Sequence, residues 1–171
     1  MTSSIDDCVV TIVSGRPAPP ELQPGVTLIR GPKGTKKTRS VGPLTAGMQS
    51  ILLIGHRRSL IRQSCTPLDL ACYLDQREGK LLNLPRLGVC LDSLARVDAR
   101  TQYEAVVVDE SEQVLAHFLS DTLDRTGGPG RDRLFIEFRH RIRSAKYVVA
   151  LDADLGWATF NTLARMREAS R

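Results

Sequence analysis

Aromatic residues are scarce in this chain: Phe, Tyr and Trp together make up 5% of its 171 residues. The core must therefore be aliphatic, and a hydrophobic fraction of 42% is ordinary for one globular domain of this length. Long apolar runs are missing as well. Stretches such as Ile51-Leu52-Leu53-Ile54 and Val106-Val107-Val108 fall far short of the ~20 residues a membrane-spanning helix needs. Residues 1–7 have neither the basic start nor the apolar stretch of a secretion signal, so a cytoplasmic protein with no membrane partner is expected. Cysteine is present four times, at Cys8, Cys65, Cys72 and Cys90, without a C-x-x-C pair and without histidines at zinc-ligand spacing. That pattern predicts buried free thiols and argues against a structural zinc site. Internal repeats and low-complexity tracts are lacking too, which excludes repeat architectures.

What the chain does have is positive charge. Lys and Arg number 24 against 19 Asp and Glu, a net charge of +5. Such a surface favours polyanions, and nucleic acid is the first partner it suggests. Arg57 and Arg58 form one cluster; Arg131, Arg133, Arg139, Arg141 and Arg143 form another. The second cluster reads first as the solvated face of a helix and only second as a polyanion patch.

Residues 1–25 read as a preamble broken by Arg16-Pro17-Ala18-Pro19-Pro20 and Pro24-Gly25, with a candidate edge strand in residues 8–13. From residue 26 to 171 a single domain follows. Apolar strand segments at 26–30, 50–54, 70–74, 87–91, 105–108 and 147–151 alternate with helix-compatible stretches at 38–49, 57–64, 110–123, 131–144 and 156–168. Gly42-Pro43 should break or shorten the first of these helices. Strands alternating with helices predict an α/β fold, a parallel sheet covered on both faces, with right-handed crossovers. Ligands in such folds sit at the carboxyl ends of the strands.

Two chemical motifs fall at those ends. Gly31-Pro32-Lys33-Gly34-Thr35-Lys36-Lys37-Thr38 follows the first strand and matches the phosphate-loop pattern G-x-x-x-x-G-K-[ST] at Gly31, Lys37 and Thr38. Successive backbone N–H groups and a helix N-terminus make an anion cradle. Lys37 would reach the β- and γ-phosphates, and the Thr38 hydroxyl would ligate Mg²⁺. The sixth position is Lys36 where the pattern has glycine, and a side chain stands where the backbone should approach the phosphate. The second motif is Val106-Val107-Val108-Asp109-Glu110-Ser111-Glu112. Here Asp109 is a candidate Mg²⁺ ligand and Glu110 a candidate base for an attacking water. Asp109 also reads as a cap of the following helix, with Glu110 and Glu112 favoured in its first turn, and the two roles are compatible.

These motifs, with Ile51-Leu52-Leu53-Ile54-Gly55-His56-Arg57-Arg58-Ser59-Leu60, Val89-Cys90-Leu91-Asp92-Ser93-Leu94 and Val148-Val149-Ala150-Leu151-Asp152-Ala153-Asp154-Leu155-Gly156 in that order, resemble the DEAD-like, superfamily 2 helicase domain of herpesvirus-type origin-of-replication-binding proteins. The resemblance covers about residues 26–166 and is nearest to the helicase part of plasmid and phage primase–helicases. It implies a three-layer αβα RecA-like P-loop NTPase sandwich with a mainly parallel sheet, in which the strand ending at Leu151 lies between the phosphate-loop strand and the strand ending at Val108. It implies ATP and Mg²⁺ held by Gly31, Gly34, Thr35, Lys36, Lys37, Thr38 and Asp109, with Glu110 catalytic. His56, Arg57, Arg58, Ser59, Asp92 and Ser93 would meet single-stranded or duplex DNA, and Asp152 and Asp154 would couple ATP state to DNA grip. His117 and His140 belong to no motif and read as structural or surface residues. A superfamily 2 helicase also needs a second RecA-like lobe; one candidate partner is another chain that carries that lobe or a primase. The alternative is a degenerate RecA-like module that binds DNA or protein without ATP turnover.

Overall fold

The computed structural model describes residues 8–9 (backbone only), 21–32, 37–119, 130–154 and 156–168. Gly34, Thr35 and Lys36 of the phosphate loop lie outside the described residues, as does the latter part of the 110–123 segment.

Among the described residues, seven parallel strands form one sheet: β1 (Cys8–Val9), β2 (Gly25–Arg30), β3 (Ile51–Gly55), β4 (Ala71–Cys72), β5 (Arg86–Cys90), β6 (Ala105–Asp109) and β7 (Tyr147–Asp152). The order across the sheet is β1-β2-β7-β6-β3-β5-β4. The strand ending near Leu151 does lie between the phosphate-loop strand and the strand ending near Val108. The register places Arg30 beside Asp152 and Asp109 beside Leu151, so the ends carrying the motifs are level. The central strands are apolar without alternation because both faces are covered. Ile51, Leu52, Leu53, Ile54, Val106, Val107, Val108, Val148 and Val149 are all fully buried. Each contributes about 1.5–3 kcal/mol of burial free energy, set against the entropy of ordering it.

The helices are α1 (Lys37–Thr45), α2 (Arg58–Cys65), α3 (Ser111–His117), α4 (Arg131–Ser144) and α5 (Trp157–Glu168) among the described residues. α1 and α2 pack together through a 3-10 turn at Thr66–Leu68; α3 and α4 pack with α5. The chain runs outward from β2 to β4 and then steps back through β5, β6 and β7. With right-handed crossovers, this reversal puts the two helix groups on opposite faces and gives three layers. Neighbouring strands β3 and β6 thus lead into helices of different groups, which opens a crevice above their carboxyl ends.

Several expectations are refined. The helix after the phosphate loop is short, but it runs through Gly42-Pro43 and ends at Thr45. Gly42 is needed there for another reason: a Cβ would come within 2.7 Å of the Pro67 carbonyl oxygen, where α1 rests on the 3-10 turn. The 70–74 segment is a strand only at Ala71–Cys72 and turns into a 3-10 helix at Tyr73–Asp75. Leu91, expected to end a strand, begins a 3-10 helix, Leu91–Arg96. Cys65, Cys72 and Cys90 are free and buried, as the sequence implied. Burial pushes the Cys65 thiol up to about 12, so it stays protonated.

The arginine-rich segment is corrected more substantially. Arg139 and Arg143 are exposed on α4, but Arg141 is buried at 1% exposure. Its guanidinium donates to the carbonyls of Thr101 (2.7 Å), Asp98 (3.0 Å) and Val97 (3.2 Å) and lies over the Tyr103 ring. Arg141 therefore ties α4 to the segment before β6. It is neither part of a solvated face nor available to a polyanion.

Candidate nucleotide and nucleic-acid site

At the carboxyl end of β6, Asp109 receives two hydroxyls. Thr38 Oγ1 donates to Asp109 Oδ2 at 2.9 Å, and Ser64 Oγ donates to the same oxygen at 2.8 Å. Thr38 comes from the first turn of α1 and Ser64 from the last turn of α2, so three elements meet at one carboxylate oxygen. The sequence reading anticipated Thr38 and Asp109. It missed Ser64, whose polar place in an amphipathic helix carries no motif.

Lys37 opens α1, and its Nζ donates to the carbonyls of Gly31 (2.6 Å) and Pro32 (3.1 Å). The ammonium thus folds back over its own loop, with its charge satisfied by backbone oxygens that a phosphate could replace. Gly31 is buried, and its N–H bonds to the Asp152 carbonyl at 3.1 Å, extending the β2–β7 pairing into the start of the loop.

Glu110 follows Asp109 in the left-handed region, with φ 52° and ψ 54°. This turn swings the chain off the strand end into α3. It costs a non-glycine residue of order 1 kcal/mol, the kind of strain that persists where surrounding contacts fix it. Glu110, Asp109, Lys37, Thr38, His56 and Ser64 all line a cleft of about 350 Å³ in the β3–β6 crevice.

Asp109 does not cap α3. The helix amide that a capping aspartate would take, the N–H of Glu112, bonds instead to Asp152 Oδ2 at 2.9 Å. Asp152 also accepts from the amides of Ala153 (2.6 Å) and Asp154 (3.1 Å) through Oδ1. Asp152 is thus the buried anchor joining the end of β7 to the start of α3. Asp154 is exposed and joins this cluster through its backbone. Glu112 returns the link: its Oε1 accepts from the Gly156 amide at 3.1 Å and from the Thr159 hydroxyl, holding the start of α5.

Arg57, the extended residue that precedes α2, lines the outer part of the cleft, and Arg57, Arg58 and Ser59 are exposed. Asp92 is exposed and Ser93 half-buried at the 3-10 turn after β5. His56 does not stand with the arginines on the open surface. It faces the cleft, and its ring meets that of His117 edge-on at 5.1 Å. Burial lowers the affinity of His56 for a proton, and the neighbouring His117 and Arg57 lower it further. His117, set aside from every motif in the sequence, donates a hydrogen bond from Nε2 to Asp92 Oδ1 at 2.8 Å. Among the described residues no cluster of His, Cys, Asp or Glu has the geometry to hold a metal by itself, and no helix is long and apolar enough to cross a membrane.

An all-parallel sheet with helices on both faces, motif-bearing strand ends and this strand order define a RecA-like αβα sandwich. Solved structures of S. cerevisiae Dbp5 share the fold. One bound to RNA and ADP–beryllium fluoride superposes with a TM-score of 0.54 at 14% identity, over 89% of this chain and 41% of that chain. Another, with Nup159, Gle1, IP6 and ADP, gives 0.52 at 15% identity over 89% and 43%. The profile of the family described as origin of replication binding protein matches residues 4–171, and the chain belongs to that family. A protein of Acanthamoeba polyphaga mimivirus, described as a candidate replication origin-binding protein, is 33% identical over 142 residues. The match spans 75% of this chain and 18% of that protein.

Proposed function

We propose that this chain is an ATP–Mg²⁺-binding, nucleic-acid-contacting unit of a DNA replication protein, a first RecA-like lobe of the superfamily 2, DEAD-like helicase kind. The observation that carries this reading is the convergence of Thr38 and Ser64 on Asp109 in a cleft shared with Lys37 and Glu110. Two hydroxyl oxygens and a carboxylate are the hard donors that Mg²⁺ prefers, so these residues fit that ion. Bound Mg²⁺ would neutralise phosphate charge during transfer to water. Lys37 would exchange its backbone carbonyl partners for phosphate oxygens. Glu110, at the cleft wall, would accept the proton of the attacking water. Arg57, Arg58 and Ser59, with Asp92 and Ser93, would position a nucleic-acid backbone without reading its sequence. The mimivirus relative is much longer than this match, which is consistent with a second RecA-like lobe, and any primase, lying elsewhere in the assembly. Full ATP turnover and unwinding would require that second lobe.

Titration calorimetry with ATP–Mg²⁺ tests the reading. The chain is expected to bind at micromolar to low-millimolar levels, and Lys37→Ala to weaken binding by at least tenfold. Equal affinity in the variant would sink the phosphate-loop assignment. A wild-type chain that binds no nucleotide would favour the second reading, a RecA-like module acting in DNA or protein binding, which Lys36 at the glycine position supports.

A further inference from the structure

Three segments that are far apart in sequence meet through one histidine. His56 directly follows β3 and lines the cleft; Asp92 lies in the 3-10 turn after β5; His117 ends α3. α3 starts immediately after Asp109 and Glu110. His117 contacts both other segments, the His56 ring edge-on at 5.1 Å and Asp92 Oδ1 at 2.8 Å. Its side chain is 14% exposed while that of Asp92 is 63% exposed, so the contact runs from the interior to the surface. His56 Nδ1 is buried and, among the described residues, has no hydrogen-bond partner. A buried nitrogen in that state gains free energy when a polar group reaches it, and His56 is a lining residue of the cleft.

We propose that His117 is a positioning residue that transmits occupancy of the cleft to the Asp92–Ser93 segment. The inference rests on the nucleotide-binding reading above and adds a route out of that site. A phosphate or water engaging His56 would turn or shift its ring. His117 packs edge-on against that ring at the end of a helix whose other end carries the cleft carboxylate Glu110, so it must follow. Its hydrogen bond then moves Asp92 and the 3-10 turn. Because Asp92 and Ser93 are candidate nucleic-acid contacts, this links the two ligands without either touching His117. Reciprocity of coupling requires the reverse as well: nucleic acid on the turn changes nucleotide affinity.

Amide NMR of the whole chain tests this, with a non-hydrolysable ATP analogue and Mg²⁺ as the probe. In the wild type, the Lys37 and Thr38 amides should shift on addition, and so should the Ser93 amide. In His117→Ala, and in His117→Phe, which keeps a ring but loses the hydrogen bond, the Lys37 and Thr38 shifts persist while the Ser93 shift falls by at least half. His117→Gln, whose amide can still donate to Asp92, should restore part of it. Asp92→Ala interrupts the same link from the exposed side, so it provides the measurement even if a His117 variant fails to fold. An undiminished Ser93 shift in these variants overturns the proposal. A silent Ser93 in a wild type whose Lys37 and Thr38 respond also overturns it, and leaves nucleotide binding standing. If no amide responds in the wild type, the nucleotide reading fails and this inference fails with it.

Discussion

Single atoms decide much in this protein. Gly88 lies within β5, where a Cβ would overlap the Cys65 sulfur of α2. Cys65 is itself buried, so it has little room to give way. Gly88→Ala is therefore expected to destabilise the chain by about 1–3 kcal/mol, the usual cost of overpacking. In a Cys65→Ala background the added cost should shrink, and a double-mutant cycle from urea unfolding measures the difference. Additive effects would show that the clash is relieved elsewhere. At Lys36 the expectation comes from sequence alone: restoring glycine with Lys36→Gly removes a Cβ from the loop backbone and should tighten ATP–Mg²⁺ binding. Equal or weaker affinity in the calorimeter would mean that the lysine charge compensates for its bulk.

Helices show how one residue type serves opposite purposes. The arginines of α4 look alike in sequence, yet Arg139 is exposed and Arg141 is buried against three backbone carbonyls. Burial lowers the proton affinity of Arg141, with Glu137 and Tyr103 nearby acting in the other direction. Replacing Arg141 with Leu would strand carbonyls of Val97, Asp98 and Thr101, and we expect a loss of roughly 3 kcal/mol or more in urea unfolding. Arg139→Ala should change stability by less than about 0.5 kcal/mol. If the two variants cost the same, Arg141 is not the clamp between α4 and β6. α3 has a comparable anchoring at its start, where Asp152 takes the Glu112 amide and Glu112 holds the start of α5. A change at the end of β7 should therefore be felt at both helices.

At the scale of the whole molecule, the parallel sheet brings the separate motifs to one edge. β2, β3, β5, β6 and β7 all point the same way, so Lys37, Arg57, Asp92, Asp109 and Asp152 share the carboxyl side of the sheet. The chain as a whole carries a net charge of +5, and the exposed cations at this edge include Arg57 and Arg58. The double variant Arg57→Ala, Arg58→Ala is expected to weaken single-stranded DNA binding and to flatten its salt dependence by up to about two phosphate contacts. The check is fluorescence anisotropy over a salt series. An unchanged slope would put both arginines off the nucleic-acid path.

The sequence by itself determined the elements wherever burial is uniform. Continuous apolar runs such as 51–54 and 105–108, short and rich in β-branched residues, read as strands covered on both faces and are strands, and the 131–144 helix matches its expected bounds. Lys37, Asp109 and Glu110 could be singled out as candidates because phosphate binding would demand fixed residue types at fixed spacing. Tertiary structure alone decided what those groups meet. Ser64, His117 and Arg141 carry no local signal. Their roles arise because Ser64 reaches Asp109 across 45 residues, His117 reaches Asp92 across 25, and Arg141 reaches Thr101 across 40. That Asp152, and not Asp109, takes the Glu112 amide at the start of α3 was likewise open until the fold brought the two together. A hydrogen bond has a partner as well as a donor, and sequence spacing names the partner only when both lie on the same turn.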